Sequence, residues 1–364
     1  MLATRTVMFE FDFLANNFYK NKKVLITGHT GFKGTWLCRI LLNAGAMVTG
    51  YSLQPPTQPN LFSLADVENK ITSVIGDIRD FEHLQNVFNE AQPEIVFHLA
   101  AQPIVRESYK DPRNTYETNV MGTVNVLECV RQFGSVKSFL NVTTDKVYLN
   151  REKAEGYREE EPLDGYDPYS NSKSCSELVT HCYKNSFFAD ESVAISTARA
   201  GNVIGGGDFA QDRIIPDCVR AVQAGETIKV RNPRSIRPYQ HVLEPLAVYL
   251  LIAAKQYENS CYAGYYNVGP DDCDCITTRE LVNLFCKHWG EEAKWESKTE
   301  FNAPHEANFL KLDCSLLKKT FGWQPCWHIE EAIQKTCAFS KVWLQGGNIP
   351  AEMDKEIKDF FGET

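Results

Sequence analysis

The sequence lacks the long hydrophobic run that a membrane-spanning helix needs. No window approaches the ~18 consecutive apolar residues of a transmembrane helix. The first twenty residues carry Glu10 and Asp12 inside their one apolar run and show no small-residue cleavage site, which argues against a signal peptide. We therefore expect no membrane partner and treat residues 1–20 as an N-terminal extension without an assigned role.

Positive charge is also scarce. The chain has 38 Lys and Arg against 47 Asp and Glu, which gives a formal net charge of -9. A protein that binds nucleic acid or an anionic membrane needs clustered cations to neutralise phosphates. We therefore expect neither nucleic acid nor an anionic membrane as a partner, and the composition favours a small molecule.

Cysteine is plentiful, with twelve residues, but the spacing of a zinc site is missing. Many cysteines, such as Cys38 and Cys129, fall inside apolar helical patterns, where the side chain acts as a small hydrophobe. The tightest pair, Cys273 and Cys275, has no second pair and no nearby histidine at zinc spacing. The sequence therefore predicts reduced thiols, a cytoplasmic location and no metal.

Short apolar runs alternate with amphipathic stretches from residue 22 onward. "KVLIT", "MVTGYS", "EIVFHLA", "VKSFLNVTT" and "VAISTARAG" are typical of buried strands, and the stretches between them are typical of helices. This alternation predicts an α/β fold with a Rossmann-type, doubly wound parallel sheet over residues 21–200. Residues 201–364 are predicted to form mainly a smaller, discontinuous substrate lobe, and about 240–270 to return to the sheet.

The first turn between a strand and a helix is "GHTGFKG", with Gly28, Gly31 and Gly34. Glycines allow a tight turn and close approach of a pyrophosphate to a helix N-terminus, so this turn predicts dinucleotide binding. The second strand ends in "GYSLQPPTQPNLF", which offers neither the acid typical of NAD sites nor the base typical of NADP sites. Asp77, after the third strand, is predicted to reach the adenine.

Tyr169 and Lys173 are four residues apart on a helix that Pro168 can start, so both side chains lie on one face. A nearby cation favours the phenolate and makes tyrosine a usable base. Tyr19 and Lys23 have the same spacing, so the spacing alone does not identify the catalytic pair and the surrounding sequence must. Tyr169 follows the strand end "TTDKVY", which points to the same crevice as the glycine turn.

Several motifs together resemble a known family. "GHTGFKG", "HLAAQP", "TNVMGT", Thr144 and the Tyr169/Lys173 pair resemble the extended short-chain dehydrogenase/reductase superfamily. Longer strings, among them "GYREEEPLDGYDPYSNSK", "ARAGNVIGGGDFAQDRIIPD" and "RNPRSIRPYQHVLEP", resemble the CDP-glucose 4,6-dehydratases, over residues 20–345. The resemblance implies NAD as cofactor, a nucleotide-sugar substrate (CDP-glucose) and a homodimer formed through the helices that carry Asn119 and Tyr169.

The resemblance also implies roles. Thr144, Tyr169 and Lys173 would remove the proton of the sugar 4-hydroxyl while NAD takes the hydride. Asp145 would be the acid of the dehydration, and Lys146 either its base or a cation that stabilises the enolate. The similar dTDP-glucose dehydratases have Thr-Asp-Glu where this sequence has Thr-Asp-Lys, so Lys146 departs from their pattern. A lysine that acts as a base would have to be neutral.

The remaining site residues are carried by the same resemblance. Asn119 corresponds to the active-site asparagine of the superfamily. The expected cofactor-binding residues are Gly28, Gly31, Phe32, Gly34, Asp77, Ile78, Leu99, Ala100, Ala101, Tyr169 and Lys173. The expected substrate-binding residues are Gln102, Asn202, Arg213, Arg231, Arg237 and His305. Among them the resemblance favours Arg237 for the diphosphate and Asn202 for the nucleotide side, ahead of Arg213 and Arg231, and a guanidinium fork matches phosphate oxygens.

Three alternatives remain open from the sequence. The first is a 4,6-dehydratase that acts on another nucleotide-hexose, and the second is a nucleotide-sugar 4-epimerase. The ionisable pair Asp145 and Lys146 speaks against epimerisation, because simple epimerases of the superfamily carry small neutral residues there. The third is a non-catalytic dinucleotide sensor, which would not need Tyr169 and Lys173.

Overall fold

A computed structural model describes residues 17–190, 192–298 and 309–362, and His305 lies outside this range. The strands are β1 (Lys23–Thr27), β2 (Met47–Ser52), β3 (Thr72–Ile75), β4 (Ile95–His98), β5 (Ser138–Thr144), β6 (Ala194–Ala200), β7 (Asn202–Ile204), β8 (Ile228–Val230), β9 (Ile236–His241), β10 (Tyr265–Val268), β11 (Cys275–Thr277) and β12 (Trp295–Ser297). The helices are α1 (Phe32–Asn43), α2 (Leu61–Leu64), α3 (Phe81–Ala91), α4 (Val105–Lys110), α5 (Pro112–Tyr116), α6 (Gly122–Gln132), α7 (Pro168–Phe187), α8 (Ile214–Gln223), α9 (Leu243–Glu258), α10 (Thr278–Trp289), α11 (Ser315–Phe321), α12 (Ile329–Leu344) and α13 (Ile349–Phe361).

A seven-stranded parallel sheet forms the centre, in the order β10-β6-β5-β4-β1-β2-β3. Every residue of β5 and β6 is buried, as expected for strands covered on both faces. The order reverses beside β1, which pairs with both β2 and β4. This reversal places a ligand crevice at the carboxyl ends of the strands and confirms the predicted doubly wound α/β fold.

Helices cover the sheet on both faces because each buries an apolar stripe against it. One cluster joins α1 and α9 to the strands, through residues such as Trp36, Leu41 and Leu246. The other cluster joins α3 and α6 to the strands, through residues such as Phe88 and Leu127. None of the described helices is long and apolar enough to cross a membrane.

The stretch between β4 and β5, which is typical of a helix in sequence, is interrupted in the structure. A π-helical turn, Glu117–Met121, separates α5 from α6. A single π turn inserts an extra residue and re-aims the side chains around it, and such turns often lie at functional sites. Here the turn carries Asn119, and no periodic pattern of apolar residues could have indicated it.

The smaller lobe is built from β7, β9 and β11 in one sheet, β8 and β12 in another, and the helices α8, α10 and α12. After β9 the chain enters α9, which packs on β5 and β6, and β10 then extends the large sheet beside β6. Both elements fall within the stretch of about 240–270 that the sequence predicts to return to the sheet. Before β1, the buried Tyr19 donates a hydrogen bond to the Leu250 carbonyl at 2.7 Å.

Candidate active site

A cavity of about 690 Å³ lies between the glycine turn, the ends of β5 to β7 and the smaller lobe. It gathers predicted residues from distant parts of the chain, which are Phe32, Thr144, Lys146, Tyr169, Asn202, Arg213, Arg231 and Arg237. Parallel strands deliver their carboxyl ends to one edge of the sheet, so this convergence follows from the fold. Asp145 and Lys173 do not line the cavity and lie behind its wall.

The end of β5 carries a chain of hydrogen bonds. The Thr144 hydroxyl donates to Asp145 Oδ1 at 2.9 Å, and Lys146 Nζ donates to the same oxygen at 3.2 Å and to Asn202 Oδ1 at 3.4 Å. Asp145 is fully buried, and its second oxygen, Oδ2, has no hydrogen-bond partner among the described residues. The turn after β5 therefore holds a buried carboxylate, Asp145, that forms an ion pair with a lysine facing the cavity, Lys146.

The phenol of Tyr169 lies beside Thr144 at the cavity wall. Burial raises the pKa of Tyr169 to about 12, although the Thr144 side chain and the Arg213 guanidinium lower it. Lys173, one turn further on α7, donates to the Val142 carbonyl at 3.0 Å. Burial lowers the pKa of Lys173 to about 8 despite the nearby Glu177 carboxylate. Arg213 is thus a cation in this site that favours the phenolate.

A buried acid that sequence reasoning missed supports this wall. Glu177 on α7 accepts hydrogen bonds from Thr143, from Thr197 at 2.8 Å and from Arg199 at 3.0 Å. Both charged partners, Glu177 and Arg199, are almost fully buried. These bonds tie the ends of β5 and β6 to the helix that carries Tyr169. The sequence signal was a glutamate four residues after Lys173 on a buried helix face.

A second missed residue is Lys33, inside the glycine turn, whose side chain lines the cavity. Burial, together with the positive charges of Arg213 and Lys173, lowers the pKa of Lys33 to about 7. In the sequence, Lys33 stands out because it lies in the first turn of α1. The positive end of a helix dipole does not favour a cation, so a lysine at this position indicates a role other than helix stability.

The glycine turn has the shape of an anion cradle. Gly28 has φ +81, and a Cβ there would lie 2.8 Å from the Ala100 amide nitrogen. A Cβ at Gly34 would lie 2.1 Å from the Gly28 carbonyl oxygen, whereas one at Gly31 meets nothing closer than 3.4 Å. No side chain caps the first turn of α1. Its N–H groups are therefore available to a pyrophosphate, and the residues fit a dinucleotide.

The adenosine side of this crevice has little charge to offer at β2. Ser52, the last residue of β2, hydrogen-bonds through its hydroxyl to Thr30 at 2.9 Å. Asp77 follows β3, and its carboxylate accepts two hydrogen bonds from Arg79 Nε at 3.0 Å, so the Arg79 hydrogen bond holds the pKa of Asp77 below its usual value. Ile78 contacts Gly122 at the start of α6. The end of β2 therefore carries neither the acid typical of NAD sites nor the base typical of NADP sites, and it does not distinguish the two cofactors.

Asn119 and Gln102 lie beside the cavity and do not line it. Asn119 Oδ1 accepts from the Gln102 amide at 2.8 Å, and its Nδ2 donates to Ser172 Oγ at 2.9 Å. The Gln102 side chain donates to Thr115 at 2.9 Å. Asn119 therefore joins the loop after β4, which contains Leu99, Ala100 and Ala101, to the helix of Tyr169 and positions both.

The predicted arginines meet at the lobe side of the cavity together with acids. Arg213 Nη1 donates to Asp208 at 2.9 Å and Arg231 Nη1 donates to Asp212 at 2.6 Å. Arg237 is largely buried on β9. All three arginines line the cavity, and guanidinium groups suit a diphosphate.

Comparison with known proteins gives consistent matches. Residues 25–336 match the family described as GDP-mannose 4,6 dehydratase. The chain is 48% identical over 354 residues to CDP-glucose 4,6-dehydratase of Salmonella typhimurium, which covers 96% of this chain and 98% of that protein.

Two solved structures extend the comparison. The dTDP-glucose 4,6-dehydratase DesIV of Streptomyces venezuelae, with NAD and TYD bound, has a TM-score of 0.78 at 22% identity and covers 89% of this chain and 98% of its own. That likeness shows the fold. UDP-glucose 4-epimerase of Thermus thermophilus in complex with NAD has a TM-score of 0.75 at 25% identity and covers 87% of this chain and 98% of its own.

Proposed function

We propose, because the chain belongs to the GDP-mannose 4,6-dehydratase family, that it is a hydro-lyase that converts CDP-glucose to CDP-4-keto-6-deoxyglucose. The observation that carries this proposal is the 48% identity to CDP-glucose 4,6-dehydratase over 96% of the chain. The reaction oxidises C4, removes water across C5 and C6, and reduces C6, so it consumes no net cofactor.

NAD is the cofactor, and the glycine turn fits its pyrophosphate through the N–H groups of the first turn of α1 and the open face of Gly31. When bound, NAD would supply reversible hydride transfer between the sugar and its nicotinamide ring, and the positive charge of the ring would favour nearby anions. The residues proposed to hold it are the glycine turn, Asp77 with Ile78 after β3, and the loop after β4.

The first proton transfer is assigned to Tyr169. Its Oη would accept the proton of the sugar 4-hydroxyl, and Thr144 Oγ1 would hold that hydroxyl in place. Burial raises the pKa of the phenol to about 12, Arg213 lowers it, and further positive charge in the site would favour the phenolate.

The dehydration is assigned to Asp145 and Lys146. In the structure they share a hydrogen bond of 3.2 Å, which suits an ion pair. Transfer of one proton along that bond turns the ion pair into a neutral amine and a carboxylic acid. The amine can then accept the C5 proton, and the acid can protonate the leaving 6-hydroxyl. One hydrogen bond therefore supplies both forms that the step needs.

The position of the pair decides which member touches substrate. Lys146 lines the cavity, whereas Asp145 lies behind Thr144 and Lys146. We assign Lys146 to the C5 proton. The Asp145 proton would reach the 6-oxygen through Thr144 Oγ1, which is bonded to Asp145 Oδ1 at 2.9 Å and faces the cavity.

The diphosphate is assigned to the arginines that line the cavity, Arg213, Arg231 and Arg237. Asn202 is assigned to the same ligand, because its side chain accepts from Lys146 and so links the nucleotide end to the reacting end. We also propose the division of the chain into a cofactor domain, residues 21–200 joined by about 240–270, and a substrate lobe formed mainly by 201–364.

A 4-epimerase is the second candidate, since UDP-glucose 4-epimerases share the fold. An epimerase needs the Tyr169 proton transfer and the hydride step, but it has no use for an acid and a base at C5 and C6. The buried Asp145 paired to a cavity-facing lysine therefore favours dehydration.

The assembly is proposed to be a homodimer in the cytoplasm. Leu178 on α7 and Met121 beside α6 are about half exposed, at 53% and 52%. Apolar side chains of this size on neighbouring helices are typical of a covered face, and a second copy would cover it. All twelve cysteines are free thiols, as a reducing compartment maintains.

The experiment that tests the function is mass spectrometry of CDP-glucose after incubation with the protein and a trace of NAD. We expect loss of one water without accumulation of NADH. Loss of water from dTDP-, UDP- or GDP-hexoses in preference would keep the mechanism and correct the nucleotide. An unchanged mass with every nucleotide-hexose would contradict the dehydratase proposal.

A further inference from the structure

We propose that Cys273, Asp274 and His328 form a zinc site on the substrate lobe, apart from the active-site cavity. Sequence spacing argued against metal at Cys273 and Cys275 because no histidine is near them in the chain. The fold supplies one from 54 residues away, since His328 Nδ1 lies 2.8 Å from Asp274 Oδ2. Among the described residues, these three side chains offer one ligand atom each, and all three atoms lie within 4.8 Å of one another.

Two segments of backbone present these donors. Cys273 and Asp274 belong to a 3-10 turn, Asp272–Asp274, that leads directly into β11. His328 is the residue that precedes α12. Asp274 Oδ1 accepts the Ile329 amide at 3.0 Å, which fixes the carboxylate against the first turn of α12. The central ligand is thus buried and held, while Cys273 and His328 are exposed and leave a path for an ion.

The donor set selects the metal. A thiolate, an imidazole and a carboxylate together suit zinc, whereas magnesium and calcium require oxygen ligands. Bonds of about 2.0 to 2.3 Å in a tetrahedron separate the ligand atoms by about 3.4 to 3.6 Å. The cluster would therefore open slightly between His328 and Asp274, and any longer separation, at most 4.8 Å, would contract, which rotation of the exposed side chains can achieve. Water would take the fourth position.

The expected consequence is structural. A bound ion would fasten the turn before β11 to the start of α12. The strand β11 pairs with β9, where Ile276 lies opposite Arg237. None of the three ligands lines the active-site cavity, so the site is expected to brace the strand that carries Arg237 without contacting the substrate.

The test is a titration of the full-length, metal-free protein with Co²⁺, a spectroscopic substitute for zinc, followed by displacement with Zn²⁺. The variants are C273S and H328Q, and the matched controls are C261S and H181Q, which alter an exposed cysteine and an exposed histidine elsewhere. Asp274 is left unchanged because its carboxylate also caps α12. Circular dichroism establishes that each variant is folded.

We expect wild type and both controls to show a saturable thiolate-to-cobalt charge-transfer band that Zn²⁺ removes. C273S should lose the band, and H328Q should bind Co²⁺ about tenfold or more weakly, because each lacks one of three protein ligands. A band that survives in C273S, equal affinity in H328Q, loss of binding in a control, or no saturable band in wild type would each overturn the proposal. These readouts do not depend on turnover.

Discussion

Replacement of Lys146 separates the two roles that this residue could have. The side chain makes the ion pair with Asp145 Oδ1 and faces the cavity. Methionine keeps much of the length but removes the charge and the amine. Arginine restores a cation beside Asp145, but a guanidinium does not deprotonate in proteins and cannot serve as the base. The pair of variants therefore distinguishes proton abstraction from electrostatic support.

The stability cost follows from the burial of Asp145. In Lys146→Met the carboxylate keeps one donor, Thr144 at 2.9 Å, and one oxygen already lacks a partner. Removal of one partner from a fully buried ion pair costs about 3 to 5 kcal/mol. The Lys146 side chain is 29% exposed, so water can replace part of the interaction. We expect a loss of about 1 to 3 kcal/mol, as for a buried group left unsatisfied, and a smaller loss in Lys146→Arg.

The catalytic cost is expected to be larger and to fall on one step. Loss of a general base lowers turnover by about 10² to 10⁴. Oxidation at C4 does not use Lys146, so both variants should still reduce bound NAD when CDP-glucose is added. We therefore expect NADH absorbance to accumulate during turnover in Lys146→Met and Lys146→Arg, while wild type shows none in the steady state.

The assay follows NADH absorbance and the incorporation of solvent deuterium at C5 in D₂O. Chemical denaturation of each variant measures the stability term separately. Wild-type turnover and C5 exchange in Lys146→Arg would refute the assignment of Lys146 as base and make it an electrostatic support. Loss of NADH formation in both variants would place Lys146 in the first step instead.

Four further predictions follow from the site and its surroundings. Tyr169→Phe should lower turnover by about 10² to 10⁴ with little change in NAD binding, measured by calorimetry; normal turnover would exclude Tyr169 as the base. Arg237→Gln should raise KM for CDP-glucose much more than it lowers kcat, whereas an unchanged KM would remove Arg237 from the diphosphate site. Burial raises the pKa of Glu356 to about 8 from 4.5, so the folded state retains a proton that the unfolded state loses, and stability falls as pH rises from ~4.5 to ~8. Glu356→Gln should therefore flatten the decline in Tm over this range, and an equally steep decline in the variant would contradict it. Leu178→Glu should shift the protein from dimer to monomer in sedimentation, and an unchanged dimer would place the interface elsewhere.

The fold could be predicted from local patterns of apolar residues. Buried strands such as β5 and helices such as α3 have apolar runs whose period is set by a few neighbouring residues, so the chain order of elements could be predicted. Pro168 and Asp167 at the start of α7 likewise act within one turn. The π turn at Asn119 could not be predicted, because it changes the hydrogen-bond register without changing the pattern of side chains.

The candidate site was predictable only where residues sit at strand ends. Thr144 ends β5, Asn202 lies just beyond the end of β6, and Tyr169 lies in the first turn of α7, and they converge because parallel strands end at one edge of the sheet. Lys33 lies among the glycines of the turn, and no periodic pattern marks it as a cavity residue. The contact of His328 with Asp274 arises from packing of two distant segments, and no local spacing encodes it. Contacts of this kind depend on the tertiary fold.

The most direct measurement of the central claim uses CDP-glucose labelled with deuterium at C4 of the sugar. The account predicts a product that has lost one water and carries the deuterium at C6, because the hydride removed from C4 returns to C6. A C4-epimerised product of unchanged mass with deuterium still at C4 would identify an epimerase. Loss of water with the label released to solvent would contradict the internal hydride transfer on which the proposed function depends.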